Sequence, residues 1–120
     1  MRCTIKQIAP EAVNDVLAAT DHLTYVEWKG RATWAAFDDD ENVLAYLVLD
    51  TQYSLVDEIW AKQDLRYTDL LDQLVKTAKA YVQENCTEKK LGIGFEPGNQ
   101  VLKLLMGRVG GEAEWITYVI

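Results

Sequence analysis

The sequence predicts an α/β (α+β) fold: one domain over residues 1–120, with a mixed central sheet of about six strands and helices on both faces, in the order β-α-β-β-β-α-β-α-β. Three observations predict it. Apolar residues at 70, 71, 74, 75, 78, 81 and 82 repeat along one side of a helix of about four to five turns. Two apolar, β-rich runs, 33–37 and 43–50, flank the polar stretch Asp38-Asp39-Asp40-Glu41-Asn42, as the arms of a hairpin flank its turn. After the long helix, a short strand, a short helix and a last strand are set apart by glycines.

Taken in chain order, residues 2–8 read as a first strand. Pro10 then stands where a first helical turn accepts it, and Val13, Val16, Leu17 and Leu23 mark one helical face. Residues 21–31, with Tyr25, Val26 and Trp28, read as a packed loop or a second short helix closed by Gly30. The hairpin arms follow, and residues 54–62 supply a fourth strand with Val56, Ile59 and Trp60. The long helix spans 68–84 and ends at Asn85 and Thr87. Leu91 to Phe95 form the fifth strand, Val101 to Met106 a helix of about one and a half turns, and Trp115 to Ile120 the last strand.

Composition removes several classes of function. Hydrophobic residues make up 49% and charged residues 26% of the chain, the balance of an ordinary globular protein. Nineteen acidic against twelve basic side chains give a net charge of −7, and Lys89-Lys90 is the longest basic run, so neither nucleic acid nor an anionic membrane surface is an expected partner. Apolar stretches fall far short of the roughly 20 residues of a membrane span. Cys3 and Cys86 lack metal-like spacing and are too few for a disulfide framework, and the first residues lack a signal peptide's apolar core. A cytoplasmic protein with reduced thiols is expected.

Two local patterns carry a resemblance. Between the fourth strand and the long helix runs Gln63-Asp64-Leu65-Arg66-Tyr67-Thr68-Asp69-Leu70-Leu71-Asp72-Gln73-Leu74-Val75, and near the end Asn99 is followed by Leu102, Leu105 and Gly110. With the element order, these resemble the GNAT superfamily (general-control-related N-acetyltransferases), and the chain is identified as a degenerate member of it. The resemblance implies acetyl-CoA as cofactor, transfer of its acetyl group to a primary amine on a small molecule or protein, and no metal. It places Arg66 at the basic position of the phosphate-binding loop. It also assigns cofactor contacts to Trp60, Ala61, Arg66, Tyr67, Thr68, Asp69, Leu70, Leu71 and Asn99. Glu58, on the fourth strand, is the candidate general base, and strand alternation allows only one of Asp57 and Glu58 to face the cleft.

The departures from that pattern matter as much as the matches. The family's loop glycines let backbone amides close on the diphosphate of acetyl-CoA; here those positions hold Tyr67, Asp69 and Leu71. Thr68 is the expected N-cap, with Asp69 and Asp72 as first-turn acids that satisfy the helix dipole themselves. Each carboxylate about 6 Å from a phosphate charge opposes binding by roughly 0.7 kcal/mol in water and about 2.8 kcal/mol at an effective dielectric near 20. The family's proton-donating tyrosine, seven residues after the Asn, is Met106, which cannot donate and is expected to pack in the core. Tyr118 is the substitute candidate acid.

Other features have plainer readings. Asp38 to Asn42 lacks the glycine and ligand alternation of a calcium loop and reads as a solvated turn. His22 is the only histidine, so no multi-histidine metal site or Ser-His-Asp triad is signalled. Gly92-Ile93-Gly94 opens no helix, so it is no dinucleotide fingerprint and instead permits a bulge or close approach in the fifth strand. Trp34 and Trp60 read as core and Trp28 as a cleft wall or partner contact. Three functions stay open: an acetyltransferase, a catalytically silent structural protein acting on a protein partner, and a small-molecule sensor. The segment from Asn99 to Gly111 also resembles GNAT-like internal virion accessory proteins of short-tailed phages, which implies a virion-associated location for the second of these.

Overall fold

A computed structural model describes residues 3–20, 30–65, 68–94, 98–109, 112–114 and 117–119. Among these residues seven strands form one sheet: β1 (Thr4–Ile8), β2 (Arg31–Phe37), β3 (Val43–Asp50), β4 (Leu55–Ala61), β5 (Gly92–Gly94), β6 (Glu112–Glu114) and β7 (Thr117–Val119). Their spatial order is β1-β2-β3-β4-β5-β7-β6, antiparallel throughout except for the parallel pair β4–β5. The helices are α1 (Val13–Leu17), α2 (Leu70–Asn85) and α3 (Gln100–Val109). The mixed sheet agrees with the expected fold class. The strand count rises from six to seven because the chain after α3 doubles back as β6 before β7, so the closing segment is a hairpin and not one strand.

Period-2 alternation in β2 and β3 sorts the core into two layers. Ala32, Trp34 and Ala36 with Ala45, Leu47 and Leu49 face α2, whose Leu70, Leu71, Leu74, Val75, Ala78 and Val82 cover them. Ala35, Tyr46 and Val48 face the other way, toward Val13 and Leu17 of α1. β3 is buried along almost its whole length because helices cover both faces, which is why it reads as a continuous apolar run. Trp34 packs edge-on against Tyr81 of α2, their ring centroids 5.2 Å apart.

The first helix is broken in character. A 3-10 turn at Pro10–Ala12 leads into α1, and a second at Ala18–Thr20 follows it. Leu23 and Trp28 lie outside the described residues. α3 is longer than expected, ten residues, because Asn99 caps it: its Oδ1 accepts a hydrogen bond from the Leu102 amide at 3.1 Å. The acidic run is a turn. Asp38 Oδ1 accepts from the amides of Asp40 and Asn42, each at 2.9 Å, and its Oδ2 accepts from Asn42 Nδ2 at 3.1 Å. Among the described residues no three metal-ligating side chains cluster, and no helix is long and apolar enough to cross a membrane.

Candidate active site

The cleft begins where two parallel strands stop being neighbours. Among the described residues β4 and β5 pair only at Leu55–Gly92 and Val56–Ile93. That end is pinned: the Gly92 amide donates to the Ser54 carbonyl at 2.9 Å, and the buried Ser54 hydroxyl donates to the Glu88 carbonyl at 2.6 Å. Ser54 has φ 54°, a left-handed conformation that turns the chain sharply into β4. Beyond Val56 the strands separate. On β4 the departure coincides with a bulge, since Val48 pairs with Glu58 and Leu49 with Val56, leaving Asp57 extra. A bulge re-aims the strand that carries it, and here it sets the next residues at a slot.

That slot is a cleft of about 640 Å³. Val56, Ile59, Ile93 and Leu102 supply apolar wall, Gly94 and Gly98 supply bare backbone, and Tyr46, Asp57, Glu58 and Asn99 supply the polar groups. Tyr46 is fully buried; its hydroxyl donates to Glu58 Oε2 at 3.1 Å, and its ring stacks on Trp60 at 5.6 Å. A carboxylate that accepts such a bond is fixed in direction. Asp57 also borders the cleft. Simple alternation would have turned it away from Glu58's side, but the bulge interrupts alternation. Its carboxylate is committed elsewhere, to the guanidinium of Arg31, which also lies 3.9 Å from Asp50. Glu58 is therefore the carboxylate left facing the slot.

A second cleft of about 270 Å³ adjoins the first, sharing Ile59, Asn99 and Leu102 and adding Trp60, Ala61, Leu71 and Val101. The sequence-derived candidates Trp60, Ala61, Leu71 and Asn99 meet here. Leu70, the first residue of α2, is buried in the core, and Arg66 and Tyr67 lie outside the described residues. The N-cap of α2 is Asp69, not Thr68. Thr68 still takes up one helix-end donor, its Oγ1 accepting weakly from the Leu70 amide at 3.4 Å, while the hydroxyl donates to the Leu65 carbonyl at 2.7 Å. Tyr118 pairs with Ile93 in register across β5–β7. Met106 is buried in the core, as its chemistry suggested.

Asp72 corrects the simple charge argument. Arg108, in the last turn of α3, clamps it with both Nε and Nη2 at 2.9–3.1 Å. These hydrogen bonds, ahead of the attraction of the negative charge itself, raise the guanidinium's pKa above its ordinary value. Asp72 is thus half of a neutral pair and not a free repulsive charge. Asp69 adds to the attraction on Arg108, and its Oδ2 accepts from Gln73 Nε2 at 3.1 Å.

Sequence reading missed Tyr46 and Arg31. A tyrosine inside the otherwise aliphatic Val43–Asp50 run was the available signal, because a buried phenol needs a partner for its hydroxyl. Arg31's role depends on the register of β2 against β3 and β4, which no local pattern encodes.

No protein-family model matches the sequence, and no curated protein matches it in sequence. Solved structures do match in three dimensions. Arabidopsis thaliana NAA60 in complex with acetyl-CoA superposes with a TM-score of 0.77 at 10% identity, over 99% of this chain and 98% of that one. The aminoglycoside 6'-N-acetyltransferase AAC(6')-Ih from Acinetobacter baumannii gives 0.66 at 18% identity, over 93% and 92%. Mutant forms of the spermidine/spermine N-acetyltransferase SpeG from Vibrio cholerae give 0.69 at 9% identity, over 98% and 91%. At such identities the likeness establishes architecture, and on that ground this chain has the fold of the GNAT N-acetyltransferases.

Proposed function

We propose that the chain is an acetyltransferase that moves an acetyl group from a pantetheine-type thioester, acetyl-CoA being the donor its resemblance implies, to a primary amine. The observation that carries this reading is the slot between β4 and β5 with Glu58 fixed on its wall by Tyr46. Acyl transfer to an amine calls for an apolar channel for the thioester's arm and a base for the amine, and the apolar wall and Glu58 support both roles. The names of two structural neighbours, an aminoglycoside and a spermidine/spermine acetyltransferase, support an amine acceptor.

In the proposed reaction Glu58 takes a proton from the substrate ammonium. The freed lone pair attacks the thioester carbonyl carbon, a C–N bond forms and the C–S bond breaks. The thiolate leaves with its electron pair and is protonated by solvent or by Tyr118, which backbone register sets beside cleft-lining Ile93, while the nitrogen, made cationic by the attack, gives its surplus proton to solvent. A thiol of ordinary acidity has a pKa of about 8.5, so its anion departs near neutral pH without an obligatory acid. Met106, packed in the core, supplies none. General acid assistance is commonly worth about 10²–10⁴ in rate, so slow turnover is the expected consequence.

The test is mass spectrometry of a panel of primary amines incubated with acetyl-CoA and the protein, with calorimetry of the thioester alone alongside. Acetylated product together with binding supports the reading. A second reading, a thioester-binding domain without transfer, is favoured by the placement of Met106; binding with no product on any amine would establish it. Absence of binding at millimolar thioester would remove both.

A further inference from the structure

We infer that Arg31 sets acceptor specificity: by holding the carboxylate of Asp57, it disfavours an amine that carries a second cation next to the reacting nitrogen. The inference rests on the proposed transfer at Glu58. Arg31, Thr33 and Ala35 share one side of β2, and Ala35 packs with Val13 and Leu17 of α1. Tyr46 and Val48 of β3 belong to the same cluster, and Asp50, in register with Arg31, has their parity. Tyr46 bonds Glu58 and Arg31 bonds Asp57, so two consecutive carboxylates of β4 are both engaged from the α1 side. Regular alternation forbids that arrangement, and the extra residue at the β4 bulge permits it. Both residues line the slot.

Without its partner, Asp57 would stand beside Glu58 as a second anion, and the two would attract an acceptor bearing two ammonium groups close together. Arg31 opposes that attraction in two ways. Its guanidinium pairs with the Asp57 carboxylate, and its own positive charge repels a second ammonium. The guanidinium is also held from behind. Its Nη1 lies 3.9 Å from Asp50 Oδ2, while Asp50 Oδ1 accepts from the amides of Gln52 and Tyr53 at 2.9 and 3.3 Å. Just before Arg31, the Gly30 carbonyl accepts from the amide and the hydroxyl of Thr51, at 3.1 and 2.8 Å, which ties the start of β2 to the end of β3. Glu58 is held by a phenol and not by a cation, and it is the carboxylate to which the reacting ammonium goes.

The test compares propylamine with 1,3-diaminopropane as acceptors from acetyl-CoA, in the full chain and in Arg31→Met, Asp57→Asn and the double variant. Every other charge around the slot is common to the four proteins, so changes in the diamine-to-monoamine ratio of kcat/KM report this pair alone. Arg31→Met should raise the ratio about tenfold, which lies between the effects of one unit charge at about 6 Å in bulk water and near a protein surface. Asp57→Asn, which leaves the cation without its partner, should lower the ratio by a similar factor. The double variant should return to within about threefold of the native chain. A merely structural role would slow both amines alike and leave the ratio where it was. The single variants move it in opposite directions, so either one tests the inference if the other fails to fold. An unchanged ratio in a single variant that still acetylates both amines would overturn the inference and leave the transferase reading standing. NMR titration of the same proteins with the two amines separates the remaining outcomes. Kd ratios that shift as expected, with no acetyl transfer by the native chain, would uphold the role of Arg31 and sink only the transferase. Neither binding nor acetylation of either amine would overturn both.

Discussion

The chemistry of this chain converges on one hydrogen bond, from the Tyr46 hydroxyl to Glu58. Glu58 was legible from the sequence as a carboxylate on the strand before the long helix. Tyr46 was not, because the two residues are 12 apart and meet only through the register of β3 on β4. Tyr46→Phe keeps the ring stacked on Trp60 and removes only the donor. It should lower kcat roughly fivefold, the worth of one hydrogen bond of about 1 kcal/mol, with KM for the thioester unchanged. Steady-state kinetics of the variant beside the native chain check this, and a change confined to KM would contradict the positioning role. Arg31 was equally hidden, though it decides which of two neighbouring carboxylates stays available in the cleft.

Elements were easier to read than their ends. The α2 periodicity placed a helix over 68–84 and the fold has it at Leu70–Asn85; the hairpin arm 43–50 matches β3 to the residue. α3 was read as Val101 to Met106, because neither Arg108 nor the glycine at 107 belongs to an apolar repeat. What extends it is the cap at its start and the clamp at its end, where Arg108 ties α3 to the first turn of α2. Arg108→Ala would leave the nearly buried Asp72 unpaired and cost about 1–3 kcal/mol, lowering the thermal midpoint by several degrees. Lys103→Ala, on the exposed side of the same helix, should leave it within about a degree.

The hairpin turn carries its own pH signature. Hydrogen bonds from the Asn42 backbone amide, then from the Asn42 side chain, hold Asp38 below its ordinary value of 3.8. A carboxylate depressed in the folded state stabilises it above that value, and the contribution disappears as pH falls through the folded pKa. Asp38→Asn should therefore be less stable than the native chain at pH 6 to 7, with the gap closing as the pH falls below 3.8. Thermal melts across that range check the sign; a gap that widened on acidification would contradict it.

At the level of the molecule, the fold was legible because its determinants are periodic: one long amphipathic face, one hairpin and one strand buried on both sides. The slot was not, because it arises from a difference between two strands that share two paired residues and then part. The Asp57 bulge lies where they part, and a bulge leaves no signature in composition. The phosphate corner was half legible. Asp69 sits one place earlier than read, at the N-cap and not in the first turn, and Asp72 changes meaning once Arg108 arrives from 36 residues away. The central claim is that a thioester lies in this slot with its carbonyl beside Glu58. Amine-dependent thiol release from S-acetyl-pantetheine, compared between the native chain and Glu58→Gln, tests it most directly. The variant should bind the thioester with unaltered Kd and release thiol about 10²–10⁴ times more slowly. Equal rates in the two proteins, or no amine-dependent release by the native chain, would contradict it.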